Sequence, residues 1–216
     1  MKKIAIILSG CGVYDGSEIH EATMAMLAVK RNGAEYELYA PDKTQYDVVN
    51  HFNGMQSDEY RNVLVESARI ARGNINPLKE LNFKNVDALL FPGGFGVAKN
   101  LSSYAFKGAE YDVIPEISEL IKAMHGMGKP IGAMCIAPIL LAKSLDKVTI
   151  TVGSSSDAAA KAVEGVGAVH VDTSSGNICV DKVNRVATVP CYMLDASIVN
   201  ICDEADKLVK ELLLMM

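Results

Sequence analysis

The sequence predicts an α/β chain: a doubly wound, mainly parallel sheet with helices on both faces. Three observations carry that prediction. Short runs rich in Ile, Val and Leu alternate with longer amphipathic segments. Three of the apolar runs stop abruptly in SGCGVYDG (9–16), PGGFG (92–96) and MCIAP (134–138). No repeat, low-complexity tract or linker breaks the alternation, so residues 1–216 read as one domain.

Lys3–Leu8 is Ile-rich and stops at Ser9-Gly10, the pattern of a strand buried on both faces. In Ser17–Asn32, Ile19, Met24, Leu27 and Ala28 form one stripe, with Ser17 as N-cap and Gly33 past the end. That predicts the first helix. Glu35–Tyr39 predicts a strand stopped by Pro41-Asp42, and Tyr46–Val49 with the residues just beyond reads as a small excursion. Asn62–Ala71 predicts a helix closed by Gly73, and Val86–Phe91 a buried strand ending in Pro92-Gly93-Gly94. Ile114–Met127 predicts a helix, Ile131–Met134 a strand, and Ile136 to about Leu145 an apolar helix. Thr149–Val152 predicts a strand and Asp157–Val166 a helix. Ile178–Val180 and Arg185–Val189 predict a hairpin, and Ala196–Leu214 a closing amphipathic helix. In sheets wound this way, function gathers at the carboxyl ends of the strands.

The net charge of −5 and the lack of any Lys/Arg run longer than two argue against a nucleic-acid partner. No apolar stretch approaches the ~18 residues of a membrane span. MKKIAIIL (1–8) is too short for a signal peptide, so a cytoplasmic chain is expected. Five cysteines, an odd number without C-x-x-C spacing, disfavour a disulfide framework and a structural metal site.

The three strand ends each admit two readings. SGCGVYDG approximates a dinucleotide-binding loop, but its glycine spacing is one residue too long and no carboxylate ends the second strand. A glycine turn shaping a crevice wall fits better. In the acidic cluster Asp15, Glu18, His20 and Glu21, Glu18 fits a solvated, dipole-favoured first turn. Glu21 could face outward, or inward only with a partner or an elevated pKa. PGGFG either ends a strand or offers backbone N–H groups for an oxyanion. Cys135 is either a small core hydrophobe or a nucleophile on a strand-to-helix elbow. Gly132, Ala133 and Ala137 leave room for a sharp turn, Pro138 suits the first helical turn, and a helix N-terminus there favours thiolate. Cys135 is therefore expected to be the most reactive thiol, with Cys179 and Cys202 structural.

With these residues in place, the chain resembles the class I glutamine amidotransferase-like superfamily, whose fold is flavodoxin-like. Within it, the chain is similar to the ElbB family (enhancing lycopene biosynthesis or sigma cross-reacting protein). The segments that carry the resemblance are ILSGCGVYDGSEIHEA (7–22), APDK (40–43), RNVLVESARIARG (61–73), PGGFGVAKNLS (92–102) and MCIAP (134–138). PfpI and the parkinsonism-associated protein are similar in fold. The resemblance implies that Cys135 is the nucleophile and that Glu21 approaches it from the first helix. It further implies an oxyanion pocket at the N–H groups of Gly94 and Ile136, beside Gly93. One departure stands out: Ile136 follows the cysteine where superfamily proteases carry histidine, and VTITVG (148–153) supplies none. His170 is the only later histidine, His20 is the substitute beside Glu21, and a protease or glutaminase triad is not expected.

The function so implied is a cofactor-independent glyoxalase or deglycase. Cys135 would form a hemithioacetal with a small dicarbonyl, and Glu21 would move the proton that yields a 2-hydroxy acid. The alternative is a non-enzymatic redox-sensing or partner-binding protein that uses an oxidisable Cys135, and a dinucleotide-dependent oxidoreductase comes third. The expected partners are a small dicarbonyl substrate and a second copy of the chain. The resemblance implies that homodimer, and the surplus apolar residues of LVKELLLMM (208–216) point the same way unless they fray.

Overall fold

The computed structural model describes residues 1–216. Its strands are β1 (Lys3–Ile7), β2 (Glu35–Ala40), β3 (Val48–Asn50), β4 (Met55–Ser57), β5 (Asn76–Pro77) and β6 (Ala88–Phe91). They continue with β7 (Ile131–Met134), β8 (Thr149–Ile150), β9 (Val169–His170), β10 (Cys179–Asp181) and β11 (Val186–Val189). The helices are α1 (Ile19–Arg31), α2 (Val63–Ile70), α3 (Tyr104–Lys107) and α4 (Pro115–Gly126). Three more follow: α5 (Pro138–Ser144), α6 (Ala158–Gly165) and α7 (Ile198–Met215).

Seven strands form the central sheet in the order β10-β11-β7-β6-β1-β2-β5, parallel throughout except for the β10–β11 hairpin. The alternation of β1 shows why helices must cover both faces. Ile4, Ile6 and Leu8 join Ala22, Ala25, Leu208 and Leu212 of α1 and α7, whereas Ala5 and Ile7 join Ile117, Ile121 and Leu140 of α4 and α5. No helix is long and apolar enough to cross a membrane.

Four expectations are corrected. The strand expected over Thr149–Val152 is only Thr149–Ile150 and pairs with Val169–His170 outside the central sheet; beyond it Thr151 N–H donates to the Thr188 hydroxyl at 2.9 Å instead of to a neighbouring backbone. Glu18, not Ser17, caps α1; Ser17 Oγ instead accepts the Ser9 N–H at 2.8 Å and ties the first loop to its strand. The stripe of α1 also differs: Ile19 and Leu27 are exposed, and Glu21, Ala22, Ala25, Ala28 and Val29 face the sheet. Small alanines let this helix lie close to the strands. The terminal apolar run is largely used within the chain. A Cβ at Gly132 would meet Leu212 Cδ1 at 3.0 Å, and of the last residues only Leu214 is strongly exposed, at 79%.

Candidate active site

β11, β7, β6 and β1 are parallel neighbours, so the loops after them converge at one edge of the sheet. Cys135 follows β7, Gly93 and Gly94 follow β6, and the glycine loop and Glu21 follow β1. Cys191 and Tyr192 follow β11.

Cys135 has a φ of 59°, left-handed for a residue with a Cβ, a strain of roughly 1–2 kcal/mol. Two backbone bonds hold the turn: Cys135 N–H donates to Val189 O at 2.9 Å, and Ala137 N–H to Met134 O at 2.9 Å. Pro138 then opens α5 with no N–H to lose. The N–H groups of Gly94 and Ile136 both approach the sulfur. Gly93 cannot carry a side chain, since its Cβ would lie 2.5 Å from Cys135 Cβ and 2.7 Å from Glu21 Oε2.

Glu21 is fully buried, and Gly93 N–H donates to its Oε2 at 2.8 Å. Oε1 has no hydrogen-bond partner of ordinary geometry, and the carboxyl group lies beside the Cys135 thiol and the Tyr192 N–H. Burial first, then the nearby charge of Glu18, lift the Glu21 pKa from 4.5 to about 8. At neutral pH the carboxyl therefore holds its proton. Glu18 itself is nearly buried, not solvated, because its Oε2 accepts the Glu21 N–H at 2.7 Å.

The thiol behaves differently from the thiolate expected at a helix N-terminus. Burial, followed by the charge of Glu21 and a hydrogen bond with it, pushes Cys135 well above its ordinary 9.0. The N–H groups of Gly94 and Ile136 offset this only in part. α5 is only seven residues long, and its end dipole does not outweigh desolvation. Thiol and carboxyl titrate together, and the form with one proton removed is the one able to add to a carbonyl.

In front of Cys135 opens a cavity of about 340 Å³ walled by Val13, Phe95, Tyr104, Ile136 and Met193, with Glu18 and Asp157 at its edges. A larger cleft of about 460 Å³ between Pro41 and Pro115 holds no nucleophile. The structure thus brings together Cys135, Glu21, Gly93, Gly94 and Ile136. Gly93 serves Glu21, while Gly94 and Ile136 serve the sulfur. His20 stands at one remove: its Nδ1 is 2.9 Å from the Tyr192 hydroxyl and 3.9 Å from Glu18 Oε1. His170 lies on β9, 3.3 Å from Ser155 Oγ, outside this cavity. In the first glycine loop Gly10 N–H goes to Ser67 Oγ, Gly12 N–H to Ser17 O and Gly16 N–H to Gly12 O, so none of its three glycine N–H groups is free for a pyrophosphate. No group of three or more His, Cys, Asp or Glu side chains could hold a metal ion.

Sequence reasoning missed the turn after β11. Cys191 is fully buried at φ 45°, and its N–H donates to Glu204 Oε2 at 2.7 Å. Glu204 Oε1 also accepts Gly176 N–H at 2.7 Å, so a buried carboxylate on α7 fixes the turn that presents Tyr192 to Glu21. The available signal was a glutamate within the apolar stripe Ile201, Ala205, Leu208 and Leu212.

No protein-family model matches the chain. An isoprenoid biosynthesis protein with an amidotransferase-like domain from Ehrlichia chaffeensis has a solved structure that superposes with a TM-score of 0.93. It is 35% identical, covering 100% of this chain and 99% of that one. Drosophila melanogaster DJ-1beta shares the fold at a TM-score of 0.59 and 18% identity, over 98% of this chain and 90% of that one. Sheet order and a cysteine elbow at the strand ends define a class I glutamine amidotransferase-like protein. Among curated relatives, the mitochondrial ES1 protein homolog of Rattus norvegicus is 44% identical over 98% of this chain and 83% of its own length. The human mitochondrial glutamine amidotransferase-like class 1 domain-containing protein 3 is also 44% identical, over 98% of this chain and 82% of its own. The chain belongs to this family of ES1 and glutamine amidotransferase-like class 1 domain proteins.

Proposed function

We propose that the protein is a cofactor-independent glyoxalase of the ElbB type that converts glyoxal-like dicarbonyls to 2-hydroxy acids. The observation that carries this reading is the fully buried Glu21 carboxyl, with a pKa of about 8, placed beside the Cys135 thiol. A carboxyl so placed can take and return a proton near neutral pH.

The reaction starts from the pair with one proton removed. As the sulfur adds to one carbonyl carbon of glyoxal, the thiol proton moves to Glu21. The new alkoxide lies at the N–H groups of Gly94 and Ile136 and takes that proton, giving a neutral hemithioacetal. Glu21 carboxylate then removes the C–H proton from the carbon attached to sulfur, leaving an enediolate. It returns the proton to the neighbouring carbon, and a glycolyl thioester remains on Cys135. Water cleaves the thioester to glycolate and frees the thiol. One carbon is oxidised as the other is reduced, so glyoxal and water balance glycolate and a proton. Without an imidazole to activate that water, turnover is slow.

Purified protein should form glycolate from glyoxal with saturable kinetics, and Cys135→Ala should bring the rate to the uncatalysed background. Equal rates with and without the thiol would remove the reading. The redox-sensing alternative is weakened by a Cys135 that is 8% exposed and carries a raised pKa, since little thiolate is then available to an oxidant. Cytoplasmic placement, expected from the sequence, contrasts with the mitochondrial designation of the rat and human relatives. Cell fractionation decides it for this chain. The homodimer implied by the resemblance is part of this proposal and is tested by light scattering.

A further inference from the structure

The cavity at Cys135 is much larger than the dicarbonyl of the proposed reaction requires. Its 340 Å³ or so falls within the range of pockets that bind whole metabolites, and glyoxal would leave most of it empty. Eleven of its fourteen lining residues are apolar. The remaining polar character is one-sided. Glu18 and Asp157 are the only charged residues that line it, and both are acidic.

Asp157 is the distinctive member. It sits at the N-cap of α6, where an aspartate ordinarily bonds the first-turn N–H groups, yet its carboxylate makes no capping hydrogen bond. It takes part in none of the ion pairs of the chain. It stands close enough to Tyr104 to raise that phenol's pKa, although burial of the phenol contributes more. Lys99, beside the lining residue Phe95, is already engaged. It lies 5.9 Å over the Phe95 ring, but its ammonium is bound to Asp47 Oδ2 at 2.7 Å and to Tyr14 O at 2.9 Å. An anion entering this cavity would meet two carboxylates and no cationic side chain in its lining, a repulsive arrangement that selects against it.

We infer that the site takes a carbonyl compound with an apolar body and a cationic group that ends at Asp157, and that it rejects substrates carrying a carboxylate or phosphate. The inference rests on Cys135 as the reacting group and names the substrate class of the same site. Phe95, Tyr104 and Met193 supply apolar surface for the body of the substrate. Asp157, half-buried, supplies the charge, and Glu18 adds a second negative charge to the lining.

Two measurements separate this inference from the glyoxalase reading. The first needs no turnover. The rate at which Cys135 is modified by cationic 2-aminoethyl methanethiosulfonate is compared with that for the anionic 2-sulfonatoethyl reagent, by peptide mapping. The cationic reagent should react about tenfold faster. Asp157→Asn should cut the ratio to about a third of its value and Asp157→Lys should invert it. Thermal melting checks that both variants fold. The second measurement compares kcat/KM for phenylglyoxal, its 4-trimethylammonio derivative and its 4-carboxylate, expected to rank cationic, neutral, anionic. A charge preference at Cys135 that Asp157→Asn weakens, with no dicarbonyl turned over, upholds the pocket and removes the glyoxalase reading. Turnover of all three dicarbonyls without charge preference, or a reagent ratio unchanged in both Asp157 variants, overturns the inference.

Discussion

Replacing Glu21 with Gln should make the folded protein more stable at neutral pH while removing its activity. Glu21 is fully buried, and its pKa rises from 4.5 to about 8, chiefly through desolvation. The folded chain thus keeps a proton that the unfolded chain releases between pH 4.5 and about 8. Stability falls across that window as pH rises, by about 1.4 kcal/mol per unit at its steepest. At pH 7 the 4.5 and 8 values correspond to a cost of roughly 3 kcal/mol for retaining the carboxyl, and at pH 5 to under about 1 kcal/mol. Glutamine has nearly the same shape, can accept the Gly93 N–H that now bonds Oε2 at 2.8 Å, and cannot ionise. Urea unfolding of both proteins from pH 5 to 8 should therefore show Glu21→Gln gaining on wild type by roughly 2–3 kcal/mol between pH 5 and 7. A constant gap over that range would refute the raised pKa and with it the proton-holding role.

In the glyoxal assay, kcat/KM should climb with pH and level off above about 8, because the reacting pair must first lose one proton; a flat profile between pH 6 and 8 contradicts this. Gly93→Ala places a Cβ 2.5 Å from Cys135 Cβ, so glycolate formation should fall by about 100-fold, while an unimpaired rate would show that the pair tolerates displacement. Leu212→Ala opens a cavity at a fully buried position against Gly132 and should cost about 3 kcal/mol in denaturant unfolding; a loss below ~1 kcal/mol would mean the helix resettles onto the sheet. Limiting iodoacetamide at pH 7 should label the more exposed Cys202 before Cys135, the reverse of the order expected from a helix-end thiolate, and rapid Cys135 labelling would restore that thiolate.

The strand ends were legible in the sequence because apolar runs that stop at glycine or proline announce buried parallel strands. The predicted strand Ile131–Met134 coincides with the observed one, and the predicted late hairpin agrees to within a residue or two. Periodicity read with large side chains misplaced the inner face of α1. Its true stripe is built of alanines with Glu21 among them, and a hydrophobicity pattern undervalues both. Glu204 was missed for the same reason, a carboxylate hidden in the apolar stripe of α7. Only the family resemblance pointed Glu21 inward. Cys135 could be located but its ionisation could not, since that depends on how burial and Glu21 offset two backbone N–H groups. Tyr192 and Asp157 reach the cavity from β11 and from the N-cap of α6, a convergence no local pattern records.

The account stands or falls on whether Cys135 captures the dicarbonyl and Glu21 moves the proton. One assay on Glu21→Gln at pH 8 reads both: glycolate formation, and protection of Cys135 from alkylation by added glyoxal. The account predicts that glyoxal still shields Cys135 in this variant while glycolate falls to the uncatalysed level. Glycolate formed at the wild-type rate, or no shielding of Cys135 in either protein, would contradict it.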